Sequence, residues 1–179
     1  MIVANTVKSD AQSAAGAEET RVVVGLEEIY VSRDPNVVLA CLGLGSCIAV
    51  SGYDAVARVG AMAHVVLPES GGKDREGSPG KYADTGIPRM IEGMKEAGAL
   101  KSRITIKIAG GARIFGNVKE GSLLDIGFRN IAAVKKAITD NGLNLTGENT
   151  GESHGRSLLL YVATGLTMVT SAVKGKIEI

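Results

Sequence analysis

Residues 37–53 have the sequence VVLACLGLGSCIAVSGY, in which two apolar runs flank a glycine-rich break. Short apolar runs that are rich in β-branched residues and bounded by glycine are typical of buried strands. We therefore expect strands at 37–42 and 47–53, joined by a turn at 43–46. A third run at 58–67, RVGAMAHVVL, follows after a short turn segment, which predicts a β-hairpin with the second strand.

Outside this region the apolar pattern predicts two helices and further strands. Ile87, Met90 and Met94 recur at helical spacing in the first helix. The expected elements are helices at 85–96 and 126–141 and strands at 21–25, 29–32, 104–109, 143–146, 157–163 and 166–173. Because the strands cluster instead of alternating with helices, we expect an α+β layered sandwich of mostly antiparallel or mixed strands.

The composition limits the classes of protein. The chain has 179 residues, a length typical of one domain, and we interpret 1–20 as a disordered tail and 21–179 as a single folded domain. A formal charge of +1 without a basic cluster argues against nucleic-acid binding, and no apolar run is long enough for membrane insertion. The two cysteines and the lack of a secretory signal favour a reduced, cytoplasmic location.

Cys47 directly follows the glycine-rich segment GLGS. Backbone N–H groups in such a turn can hold a developing oxyanion, and a thiol there is a candidate nucleophile if a base lies beside it. The predicted hairpin brings Cys47 and His64 close together, which would supply that base. The residues alone leave a second interpretation open, in which Cys47 is a structural cysteine and His64 a half-buried core residue.

The glycine-rich segment does not fit the common nucleotide-binding patterns. It does not end in Gly-Lys-Ser/Thr, as a P-loop requires. A predicted strand follows it, whereas the dinucleotide fingerprint needs a helix. The spacings of the two histidines and two cysteines match no standard metal site, so we expect neither a metal nor an organic cofactor.

Five motifs, in order along the chain, resemble the family of chemoreceptor glutamine deamidases known as CheD. The motifs are GLGSCIAV at 43–50, GAMAHVVLP at 60–68, GKYADT at 80–85, IAGGA at 108–112 and IGFRN at 126–130. The resemblance implies a layered fold similar to the catalytic domain of the cytotoxic necrotizing factor toxins. It also implies hydrolysis of selected glutamine side chains on chemoreceptor cytoplasmic helices, with release of ammonia, and a CheC-type phosphatase as partner.

The same resemblance assigns roles to residues of this chain. Cys47 would be the nucleophile, and His64 the general base and then the general acid. The family usually has a threonine six residues before the cysteine, where it would help to orient the histidine, and this chain has Cys41 there. A thiol is a weaker hydrogen-bonding group than a hydroxyl, so either Cys41 supports the histidine poorly or a backbone carbonyl takes its place.

Three loop residues and one aromatic residue complete the expectations. Gly43, Gly45 and Ser46 would form the oxyanion and substrate loop. Phe128 is either an exposed partner contact or a residue that packs at the start of the second helix.

Two other functions stay open at this point. Because of the departure at Cys41, the chain could be a regulatory module that binds and stimulates a CheC-type phosphatase with little or no catalysis. A cysteine amidase of small molecules is a third interpretation, and it predicts turnover of free glutamine.

Overall fold

The computed structural model describes residues 6–7, 19–72, 77–113, 122 and 124–179. Within these residues the chain forms two α-helices, which are α1 (Ala83–Glu96) and α2 (Ile126–Asp140). A short 3-10 helix (Lys101–Arg103) lies between the two α-helices in sequence. The strands are β1 (Thr6–Val7), β2 (Thr20–Val23), β3 (Ile29–Ser32), β4 (Val37–Leu44), β5 (Ile48–Asp54), β6 (Val59–Val65), β7 (Thr105–Gly110), β8 (Asn144–Thr150), β9 (Arg156–Tyr161), β10 (Thr167–Ser171) and β11 (Gly175–Glu178).

Two β-sheets pack face to face, and both helices cover the outer face of the smaller one. The strand order is β1-β2-β4-β9-β10-β11 in the larger sheet and β3-β6-β5-β7-β8 in the smaller sheet. The pairs β2–β4 and β7–β8 are parallel, and the other pairs are antiparallel. The expected α+β layered sandwich of mixed strands is therefore confirmed.

The alternation of side chains along each strand separates two apolar layers. Ile48 and Val50 of β5 pack in the layer between the smaller sheet and the helices. Ala49, which lies between them in sequence, belongs to the layer between the two sheets. Met62 of β6 and Cys41 of β4 are fully buried in this inter-sheet layer.

The predicted turn at 43–46 is wrong in its position. β4 continues through Leu44 with an irregular register just before that residue, and the chain bends only at 45–47. Gly43 has a φ of 65°, a conformation that glycine adopts without a steric penalty. The backbone therefore takes up an extra residue as a bulge within the strand, and β5 begins at Ile48.

One strand was not expected, and several strand boundaries differ from the sequence predictions, most of all that of β8. β11 was not expected, because the predicted strand at 166–173 ran over the turn at 172–174 that precedes it; all four residues of β11 are exposed, and it forms by pairing with β10. β8 extends to Thr150, beyond the predicted end at 146, because it pairs in parallel with β7 along that whole length. In both cases hydrogen bonding to a neighbouring strand outweighs a weak local pattern.

The predicted tail at 1–20 falls largely on positions that the structure does not describe. Thr6 and Val7 pair with β2, whereas 1–5 and 8–18 lie outside the described residues, so the disordered tail stays a prediction. In the predicted loop at 69–80, residues 73–76 also lie outside them. None of the described helices is both long and apolar enough to cross a bilayer.

Candidate active site

The β5–β6 hairpin brings Cys47 and His64 to one face of the smaller sheet. Ala49 lies directly opposite His64 in the antiparallel register, and Cys47 precedes Ala49 by two residues. Cys47 packs against the same inter-sheet layer as Ala49 and Met62. Cys47 and His64 are therefore diagonal neighbours, a relation in which side chains on adjacent strands are within reach of each other.

His64 is held in a defined orientation by a backbone carbonyl. The side chain is only 5% exposed, and its Nδ1 lies 3.2 Å from the carbonyl oxygen of Val24. Because a carbonyl can only accept a hydrogen bond, Nδ1 carries the proton, and in the neutral ring Nε2 keeps its lone pair. Burial lowers the pKa of His64 below its usual value, so the neutral form is favoured.

Cys41 donates to the same carbonyl. Its Sγ lies 3.5 Å from the oxygen of Val24, and the side chain is completely buried. Burial raises the pKa of the Cys41 thiol strongly, and the nearby Cys47 adds to the shift, so Cys41 stays protonated. The group that accepts from the histidine ring is thus the carbonyl of Val24, which is the backbone alternative considered above.

The loop before β5 is anchored through its carbonyl groups. The oxygens of Gly45 and Cys47 accept from the backbone N–H groups of Ala112 and Gly111, at 2.7 and 2.8 Å. The oxygen of Ser46 accepts from Nδ2 of Asn130 at 2.9 Å. Among the described residues, no backbone carbonyl accepts from the N–H groups of residues 45–47.

The thiol of Cys47 is half-buried. Burial raises its pKa, and the residue's own backbone N–H group partly offsets that increase. The thiol is therefore protonated near neutral pH, and it needs a base to become a nucleophile. His64, whose Nε2 is unprotonated in the neutral ring, is a base of the required kind.

Asn130 is the site residue that the sequence analysis did not identify. It is completely buried on α2, and Nδ2 donates to the carbonyls of both Ser46 and Val66 at 2.9 Å. The sequence does contain a signal for it. Asn130 is a polar residue at helical spacing from Val134 and Ile138, on the face of α2 that is otherwise apolar and buried.

A close helix–strand approach brings Asn130 to the loop. α2 begins at the cap residue Asp125, whose carboxylate accepts from the N–H group of Phe128 at 3.1 Å. A Cβ atom at Gly127 would lie 2.6 Å from the oxygen of Gly111. Only glycine at 127 therefore lets the first turn contact the end of β7.

The other predicted residues, Gly43 and Phe128, do not contact Cys47 or His64 in any hydrogen bond of the described residues. The N–H group of Gly43 donates to Ser157 Oγ at 3.1 Å on the larger sheet, so Gly43 shapes β4 and not the bend at 45–47. Phe128 is 48% exposed on the first turn of α2, which favours the exposed interpretation. The described residues contain no group of three or more His, Cys, Asp or Glu side chains placed to hold a metal.

Comparison with known proteins identifies the family. The model of the family CheD, described as chemotactic sensory transduction, matches residues 66–171. The chain belongs to the CheD family. A probable chemoreceptor glutamine deamidase CheD of Symbiobacterium thermophilum is 45% identical over 157 residues, which cover 87% of this chain and 95% of the relative. The chemoreceptor glutamine deamidase CheD of Thermotoga maritima is 46% identical, with 86% and 94% covered.

The CheD relatives extend the match beyond the family model. A probable chemoreceptor glutamine deamidase CheD of Thermococcus kodakarensis is 35% identical over 87% of this chain and 96% of the relative. Alignments of this length include the positions of Cys47 and His64, which precede the segment matched by the model. Among solved structures, the Neisseria meningitidis protein NMB0706 (family-model DUF152) is 14% identical, with a TM-score of 0.43 over 69% of this chain and 52% of that chain. That likeness is too weak for a functional assignment.

Proposed function

We propose that this protein hydrolyses the side-chain amide of selected chemoreceptor glutamines to a carboxylate, with Cys47 as the nucleophile. Membership of the CheD family supports the reaction and the class of substrate. The observation that carries the residue roles is the hydrogen bond from His64 Nδ1 to the carbonyl of Val24. It leaves Nε2 as a base on the face of the sheet that Cys47 shares.

The first half of the reaction forms a thioester. Nε2 of His64 takes the proton from Sγ of Cys47, and the thiolate attacks the carbon of the glutamine amide. The oxygen of that amide becomes an oxyanion, which the N–H groups of residues 45–47 stabilise; one such donor is typically worth about 3 kcal/mol of barrier. The protonated His64 then gives its proton to the departing nitrogen, and ammonia leaves.

The second half restores the enzyme. His64 accepts a proton from a water molecule, and the resulting hydroxide attacks the thioester. The C–S bond breaks, the thiol of Cys47 regains its proton, and the product is a glutamate side chain. Only proton and acyl transfers are involved, so the proposed reaction needs no metal and no organic cofactor.

Mass spectrometry of a receptor cytoplasmic fragment tests this proposal. Wild-type protein should convert defined glutamines to glutamates. Cys47→Ala should lower the rate at least about 10³-fold, and His64→Gln roughly 10²-fold or more, because each removes one partner of the proton transfer. His154→Gln is the matched control and should keep its activity, since His154 lies in a surface loop beside Glu152.

Conversion by folded Cys47→Ala would refute the role of Cys47. If wild-type protein converted no glutamine of any receptor fragment, the deamidase proposal itself would fail, and a non-catalytic regulator of a CheC-type phosphatase would replace it. Turnover of free glutamine would instead indicate a cysteine amidase of small molecules.

We also propose the cytoplasm as the site of action and a CheC-type phosphatase as a binding partner. The location follows from the substrate, since the receptor helices that the family modifies are cytoplasmic. Phe128 is the proposed contact, because an exposed aromatic side chain is a common anchor of protein interfaces.

A further inference from the structure

Asn130 connects the two elements that carry the proposed catalytic pair. One hydrogen of its amide group goes to the carbonyl of Ser46, the residue before Cys47. The other goes to the carbonyl of Val66, two residues after His64. Both acceptors are carbonyls, so the amide nitrogen, not the amide oxygen, must face them.

The contact with Ser46 controls the direction of a particular N–H group. The peptide unit between Ser46 and Cys47 is planar and trans, so its C=O and N–H bonds point in opposite directions. When Asn130 holds the carbonyl of Ser46 against α2, it turns the N–H group of Cys47 away from the helix. That N–H group is the one that partly stabilises the Cys47 thiolate.

This peptide unit differs from its neighbours in how it is held. The carbonyls of the residues before and after Ser46 accept from the backbone N–H groups of Ala112 and Gly111. A side-chain substitution does not remove these bonds. The carbonyl of Ser46 depends on a side chain. The N–H group next to the nucleophile can therefore be misdirected by one substitution.

We propose that Asn130 is a positioning residue, which directs the N–H group of Cys47 toward the oxyanion and fixes the loop against the end of the His64 strand. The part that concerns the oxyanion rests on the proposed deamidation. Asn130 does not touch the reacting atoms, and it acts through the backbone of Ser46 and Cys47. Its effect should therefore fall on kcat more than on KM.

Two substitutions separate this role from simple packing. Asn130→Leu keeps a similar shape, removes both donated hydrogen bonds and also removes an amide oxygen that has no partner among the described residues. Asn130→Asp keeps the shape but sets a carboxylate against two carbonyls. Asn141→Leu is the matched control, because Asn141 caps the far end of the same helix and its Nδ2 donates to Ala137.

The first readout is the deamidation of a receptor fragment. With Asn130→Leu we expect kcat to fall about 10- to 100-fold, less than the loss of a complete oxyanion donor, with KM within about threefold. Asn130→Asp should be at least as impaired, and Asn141→Leu should stay within about twofold. A folded Asn130→Leu with unchanged kcat, or with a raised KM alone, would overturn the proposal.

The second readout needs no substrate. The rate of alkylation of Cys47 by iodoacetamide, followed across pH by peptide mass spectrometry, gives the pKa of its thiol. This pKa should rise in Asn130→Leu and stay unchanged in Asn141→Leu; an unshifted value in Asn130→Leu would overturn the proposal. If wild-type protein deamidates no receptor, the proposed function fails, while the alkylation result still decides the role of Asn130.

A third measurement covers the case in which neither Asn130 variant folds. In wild-type protein labelled with ¹⁵N, both Nδ2 hydrogens of Asn130 should exchange slowly with solvent. Rapid exchange of either hydrogen would show that the bonds to Ser46 and Val66 do not persist, and it would overturn the proposal.

Discussion

Among single residues, one backbone oxygen orients His64, the proposed general base. The carbonyl of Val24 accepts from Nδ1 of His64 and also lies against the thiol of Cys41. The resemblance to the CheD family implied a threonine at position 41, and Cys41 was a departure from that expectation. In the structure the acceptor for Nδ1 is the main-chain oxygen of Val24 and not the side chain at 41.

The burial of His64 predicts how activity responds to pH. The pKa of His64 lies below the usual value of about 6.5, and the imidazole must be neutral to act as the base. We expect kcat/KM for receptor deamidation to stay high down to pH 6.5 and to fall only below it. An acidic limb centred above 6.5 would contradict this assignment.

The same pKa links His64 to stability. The folded state resists protonation of the buried ring, so the unfolded chain binds more protons below its own pKa of about 6.5. The contribution of neutral His64 to the free energy of unfolding should therefore be fully present above that pH. It should decrease as the pH falls below it. Urea denaturation at pH 5 and pH 7.5 measures this decrease, which should be smaller in His64→Gln.

Among the elements, the end of β7 supports the loop at 45–47, which carries Cys47. Gly110 has a φ of 116°, and a Cβ atom there would lie 2.1 Å from the carbonyl oxygen of Cys47. The next residue, Gly111, donates its N–H group to that same oxygen. The two strands thus meet backbone to backbone at the point where the thiol emerges.

Gly110→Ala should therefore damage both stability and activity. We expect a loss of at least about 3 kcal/mol in the free energy of unfolding, from the unfavourable φ and the clash together. Any protein that folds should have a displaced loop and a reduced kcat. The control is Gly142→Ala, which has a positive φ but open space around it and should cost only about 1–2 kcal/mol.

Chemical denaturation of the two glycine variants, followed by deamidation assays at a temperature where both are folded, gives the comparison. Equal losses of stability in Gly110→Ala and Gly142→Ala would show that the contact with the loop carries no additional cost.

At the scale of the whole molecule, α2 links the interior of the site to the surface. Its buried face carries Asn130, which contacts the loop, and its first turn presents Phe128 with 48% exposure. Phe128 is therefore on the same helix as the residue that contacts the proposed substrate loop, and we expect a partner bound there to approach that loop. Binding of a phosphatase and of a receptor helix should exclude each other.

We expect a CheC-type phosphatase to raise the apparent KM for the receptor fragment without changing kcat. Phe128→Ala should weaken binding of the phosphatase and relieve this inhibition. Val56→Ala is the control, since Val56 is exposed at the opposite end of the β5–β6 hairpin. Inhibition of kcat alone, or equal effects of the two substitutions, would place the partner elsewhere.

The sequence predicts those parts of the site that depend on local pattern. The two strands and the short connection between them suffice to place Cys47 near His64, because side chains alternate with a period of two. The carbonyl of Val24 has no side-chain signature, and its position depends on the packing of the two sheets. The bulge at Gly43 and the contact of Asn130 with Ser46 likewise need the tertiary structure.

The acceptor for His64 Nδ1 also affects how this protein tolerates genetic change. A threonine hydroxyl can be deleted by a single codon change, whereas every amino acid contributes a main-chain oxygen. The orientation of the ring is thus insulated from point substitutions at 24 and 41 that preserve packing. Insertions or deletions between β2 and β3 would instead disturb it, because they would place a different main-chain oxygen, or none, beside Nδ1 of His64.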